Sequence, residues 1–143
     1  MDNHNECLLK ECDAGAKTAI SSLKEVIDNV KSKDLLAVLS DSITEHETII
    51  GDIKERLDEI CGDGKDPNPM AKMMSWVKIN FKMMVDESDK TIASLVIDGC
   101  NMGIKQLTGY IHEYSGADEK NVRLAKRLIK AEEDLSNKLK EFL

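Results

Sequence analysis

Apolar residues recur every three to four positions along four separate stretches of this 143-residue chain, and a stripe of that period is buried only when helices pack against one another. The first stripe holds Leu8, Cys12, Ala16, Ala19, Leu23, Val26 and Val30, the second Leu36, Leu39, Ile43, Ile50, Ile53 and Leu57. A third carries Ile92, Val96, Cys100, Gly103, Leu107, Ile111 and Tyr114, and the last carries Ala125, Leu128, Leu135, Leu139 and Leu143. Strand signals are missing: aromatic residues make up 3% of the chain, and no run alternates β-branched and polar residues. The expected fold class is all-α, a four-helix bundle.

Helix breakers divide the chain into two hairpins. Ser32-Lys-Asp34 separates a helix over about Asn5 to Lys31 from one over Lys33 to Cys61, and so short a turn makes the pair antiparallel. The stretch Gly62-Asp-Gly-Lys-Asp-Pro-Asn-Pro69 holds both prolines and ends in Asn68-Pro69, an N-cap and first-turn proline for a connecting helix over 69–86. Asp86-Glu-Ser-Asp89 marks a bend, and Ser115-Gly-Ala-Asp118 the turn inside a second hairpin. The domain reading is one unit: hairpin 5–61, crossover helix 69–86 and hairpin 88–143. The two hairpins also echo each other, Cys12-Asp-Ala-Gly-Ala-Lys17 matching Cys100-Asn-Met-Gly-Ile-Lys105.

The totals exclude several kinds of function. With 20 basic and 27 acidic residues the net charge is −7, so no large basic surface forms for a nucleic-acid backbone. No apolar run approaches the roughly 20 residues of a bilayer span, and the start MDNHNECLLK lacks the order of a signal peptide. A cytoplasmic protein is expected. Cys7, Cys12, Cys61 and Cys100 show neither zinc-finger nor thioredoxin spacing and read as reduced thiols packed as small apolar groups.

Two helical hairpins joined by a connection long enough to run the length of the bundle resemble the ferritin-like superfamily. The connector Pro-Met-Ala-Lys-Met-Met-Ser-Trp and the later Asn101-Met-Gly103 narrow that resemblance to a bacterial branch of short ferritin-like bundles, a domain of unknown function. The resemblance implies a fold and brings no activity with it. Di-iron members of the superfamily use a Glu from each of two helices and a Glu-x-x-His from each of the other two. In this chain His46, within Ser42-Ile-Thr-Glu-His-Glu-Thr-Ile49, has Ile43 three residues before it. On the last helix Ile129 and Glu132 stand in the matching slots, and the inward positions of the remaining helices are Ala19, Leu23, Cys100, Leu107 and Ile111. A complete carboxylate set is absent, so neither an iron oxidase nor an iron store is expected.

Counting helical rise places His46, Glu132 and Cys100 at roughly 24, 21 and 22 Å from the same end of the bundle. The simpler expectation is a buried His–Glu hydrogen-bonded pair beside a packed thiol, because an unpaired buried polar group is costly. The alternative is a mononuclear site for zinc or a similar transition metal, with His46, Cys100 and Glu132 as ligands and one open position. A Cys100–His46 nucleophile lacks any candidate oxyanion hole. No catalytic residue and no cofactor are therefore expected.

The connector has five of the seven methionines and the only tryptophan. Met70, Met73, Met74, Val77, Phe81 and Met84 form one stripe that suffices to cover the bundle, while Trp76, Ile79 and Met83 form a second. Methionines around an aromatic anchor suit adaptable protein contacts. The sequence reading is thus a non-enzymatic interaction or structural module that self-associates as a homodimer through the crossover helix, with Trp76, Ile79 and Met83 at the interface. Its rival is the metal-binding or redox protein centred on His46.

Overall fold

The computed structural model describes residues 3–61 and 88–143. Within them the chain forms α1 (His4–Ile27), α2 (Lys33–Cys61), α3 (Asp89–Glu113) and α4 (Glu119–Leu139), closed by a single 3-10 turn over Lys140–Phe142. The crossover helix expected over 69–86, and with it Trp76, Ile79 and Met83, lies outside the described residues.

Local chemistry sets the helix ends. Ser32 Oγ accepts the amide of Leu35 at 3.2 Å and starts α2, and Ser88 does the same for Thr91 at 3.2 Å at the start of α3, each satisfying a donor that the first helical turn leaves open. Helix α1 stops at Ile27, short of the expected Lys31. Tight turns take over there, Asn29 donating to Val26 and Val30 to Ile27. The Asp89 carboxylate then accepts the amides of both Lys31 and Ser32 at 2.8 Å, so a residue of the second hairpin holds the turn of the first.

Two core clusters give the topology. One joins Leu23 and Val26 of α1, Leu35 and Leu39 of α2, Ile92 and Val96 of α3, and Leu135 and Leu139 of α4. The other joins Leu8 and Cys12, Ile53 and Leu57, Leu107, and Ala125 and Leu128. Each cluster thus takes α1 and α4 from one half of their length and α2 and α3 from the other. Helices α2 and α3 consequently run parallel, and α1 and α4 run against both. Helix α1 packs on α2 and α3, and α4 packs on α3 and α2, with a further contact between the parallel α1 and α4 across the bundle; the four side-by-side pairs are antiparallel, and α2 and α3 occupy opposite corners. Cys61 and Ser88 therefore lie at opposite ends of an up-down-down-up four-helix bundle.

A polar clasp closes the end at which α1 begins. Asn5 Oδ1 accepts the Asp118 amide at 2.6 Å and Asn121 Nδ2 at 2.8 Å, Asn121 Oδ1 accepts Arg56 Nε at 3.0 Å, and the Gly116 amide donates to His4 Nδ1 at 2.8 Å. Asn121 is fully buried, so its amide group requires these partners. No helix among the described residues is long and apolar enough to cross a membrane.

On α2 the buried seam is Leu35, Leu39, Ser42, His46, Ile49, Ile53 and Leu57, a rotation away from the stripe that apolar residues alone trace. Leu36 is 40% exposed, while Ile43 and Ile50 are half-buried at the edge. From Leu35 to Ile53 the seam advances by alternating steps of four and three, the pattern of knobs-into-holes packing, before a further step of four to Leu57, and two of its members are polar.

Candidate functional site

At mid-height α2, α3 and α4 each direct one polar side chain inward. His46 is fully buried, Cys100 is 2% exposed and Glu132 6% exposed. The structure brings together the three residues that the count of helical rise places in one layer.

Both ring nitrogens of His46 are engaged. Nδ1 lies 2.7 Å from the Ser42 carbonyl oxygen, with Ser42 Oγ at 3.3 Å. A carbonyl only accepts, so Nδ1 carries a hydrogen and donates it. Nε2 meets Glu132 Oε2 in a short hydrogen bond. With Nδ1 protonated, a single further proton serves this contact, and its transfer to the imidazole makes the pair an imidazolium–carboxylate ion pair.

Burial works against a charged imidazole, yet the Glu132 hydrogen bond and charge, the Ser42 carbonyl and the charge of Glu45 together hold the His46 pKa above its ordinary 6.5. Cys100 is pushed in the same direction, which for a thiol favours the neutral form. Burial, the Glu132 charge and a thiol–carboxylate hydrogen bond all raise its pKa from 9.0. Cys12, buried near Glu11 and Asp13, is pushed up to about 12. Both thiols stay protonated at neutral pH and make poor nucleophiles.

The surroundings do not fit a di-iron centre. Leu23 and Leu107 are buried apolar residues, Ile43, Ile111 and Ile129 pack at the core edge, and Glu45 and Glu47 both face outward. Two hard cations need several bridging and terminal carboxylates, and among the described residues this layer offers Glu132 alone. Among the described residues, no group of three or more His, Cys, Asp or Glu side chains is arranged to hold a metal ion.

Beside this cluster a cavity of about 520 Å³ opens between α1 and α3, with α4 as its floor. Gly15, Ala19 and Ser22 face it from α1 and Gly99 and Gly103 from α3, while Cys100 and Glu132 reach it from the core. Gly15 and Gly103 stand at nearly the same height, about 15 Å from the end where α1 begins. A Cβ on Gly103 would lie 3.5 Å from Glu132 Oε1, so this glycine leaves that oxygen uncovered. The signal was present in the sequence as the paired Cys-x-x-Gly of the two hairpins, whose glycines are the residues that hold the helices' side chains back from the groove.

Compared with protein-family models, with curated proteins and with solved structures, the chain matches none.

Proposed function

We propose that the chain is a non-enzymatic ferritin-like bundle that acts as a cytoplasmic interaction or structural module. The observation that carries this reading is the hydrogen-bonded His46–Glu132 pair, two residues that stand in slots which di-iron members of the resembled superfamily fill with ligands. Its polar atoms satisfy one another, and the neighbouring thiol is protonated and buried, so the layer serves to specify packing between α2, α3 and α4. The up-down-down-up topology deduced from the two core clusters supports the ferritin-like assignment.

The interaction role rests on the connector sequence, where Trp76, Ile79 and Met83 form an apolar stripe beyond the one needed to cover a bundle. Self-association as a two-fold homodimer uses that stripe. In sedimentation, wild type is expected to run as a dimer and the Trp76→Glu/Ile79→Glu variant as a folded monomer, because a charge at the centre of an isologous interface meets its symmetry mate or loses hydration. A monomeric wild type, or a variant that remains dimeric, contradicts the interface.

The second reading is a mononuclear transition-metal protein. It is favoured by the Nδ1 hydrogen bond of His46 to a backbone carbonyl, which is how ligating histidines are oriented, with Cys100 and Glu132 as the other candidate ligands. A zinc-class ion held by His46 and Glu132 would take the place of the proton they share. Metal occupancy and the bridging proton therefore exclude each other.

A further inference from the structure

We propose that the groove between α1 and α3 is a binding site for a small apolar primary amine, held with its ammonium group against Glu132 and its hydrocarbon body along the helix walls. The volume of about 520 Å³ falls within the range of pockets that enclose small molecules, which pair an apolar lining with a few convergent polar groups.

Charge selects the class of ligand. Among the described residues that line the groove there are two carboxylates, Glu11 and Glu132, and no lysine, arginine or histidine. Glu132 gives Oε2 to His46, while Oε1 faces the side left open by Gly103. Glu11 lies toward the end where α1 begins and is itself partly buried. The His46 imidazolium, paired with Glu132, leaves the groove with a net negative charge, and an ammonium ligand that donates to the free side of the Glu132 carboxylate offsets it. A carboxylate or phosphate ligand instead adds like charge to a site of reduced dielectric. A neutral alcohol fills the same volume and gains only a weaker hydrogen bond.

Titration calorimetry with n-octylamine, octan-1-ol and octanoate at neutral pH tests the proposal on the full chain. Octylamine is expected to bind wild type about tenfold or more tightly than either of the other two, the usual margin of a charge-assisted hydrogen bond over a neutral one. Gly103→Leu places a side chain over Oε1 and is expected to remove measurable octylamine binding, whereas Glu132→Gln should bring octylamine down to the level of octanol. Gly15→Leu blocks the opposite wall and serves if Gly103→Leu does not fold. If neither folds, amide shifts of wild type on adding octylamine decide, and are expected at Gly99, Gly103 and Gln106. The proposal is overturned if octylamine shows no saturable binding, as when the chain's own residues fill the groove. Octanoate binding as well as octylamine, binding that survives a folded groove-filling variant, or shifts confined to other helices would overturn it equally.

Discussion

Replacing His46 by Leu is expected to destabilise the protein by about 3–5 kcal/mol, and Glu132→Leu by a similar amount, because removing one partner of a buried ion pair leaves the other charged and unpaired. The double replacement should cost far less than the sum. With both changed, two apolar side chains meet in a layer already bordered by aliphatic residues, an exchange that is often close to neutral in buried pairs. The imbalance follows from the geometry: His46 is fully buried and Glu132 is 6% exposed, so the loss of either partner leaves the other in a site of reduced dielectric. Denaturant titration of the four proteins closes the cycle, with unchanged slopes confirming that only stability has moved. Additive costs would show that the two groups do not interact.

Stability is also expected to fall as the solution is made alkaline, with one onset at 6.5 and another at 9.0. The folded pKa of His46 lies above 6.5, so between 6.5 and that folded value the native state holds a proton that the unfolded chain has released. Native binds more, and stability drops with rising pH, by at most about 1.4 kcal/mol per pH unit for one group. The contribution is fully present below 6.5. Cys100 and Cys12 act in the same direction from 9.0 upward, since their thiols ionise in the unfolded chain while burial keeps them protonated in the native one. The His46→Leu/Glu132→Leu variant should lose the first onset and keep the second. Thermal melts across the pH range provide the measurement, and a double variant that retains the decline starting at 6.5 would assign it to other groups.

Much of the architecture is legible in the sequence because helical periodicity survives in four long stretches and the breakers between them are few. The central layer is legible for a related reason: helical rise is constant, so residue counts from the turns place His46, Glu132 and Cys100 together without knowledge of their rotation. The face of α2 is harder to read. Its seam contains Ser42 and His46, and a stripe drawn through apolar residues turns toward Leu36, Ile43 and Ile50, which lie exposed or at the edge. Long-range polar clasps leave no local signal at all. Asp89 holding the turn at Lys31 and Ser32, and Asn5 meeting Asn121, connect residues far apart in sequence through side chains that resemble ordinary surface polar groups. The groove belongs to a third kind, since a cavity is set by what small residues fail to fill on two helices at once, and Gly15 and Gly103 disclose it only after their helices are placed side by side.

Nitrogen NMR of the His46 ring, on protein purified without added metal, tests most directly whether a proton occupies the centre of the bundle. At about pH 6, below the raised His46 pKa, both Nδ1 and Nε2 are expected to carry hydrogens. The Nε2 proton should be deshielded by its charge-assisted hydrogen bond to Glu132 and slow to exchange in its buried site, and a strong chelator should leave the spectrum unchanged. An Nε2 that lacks its hydrogen and changes on chelation would place a metal where this account places the shared proton.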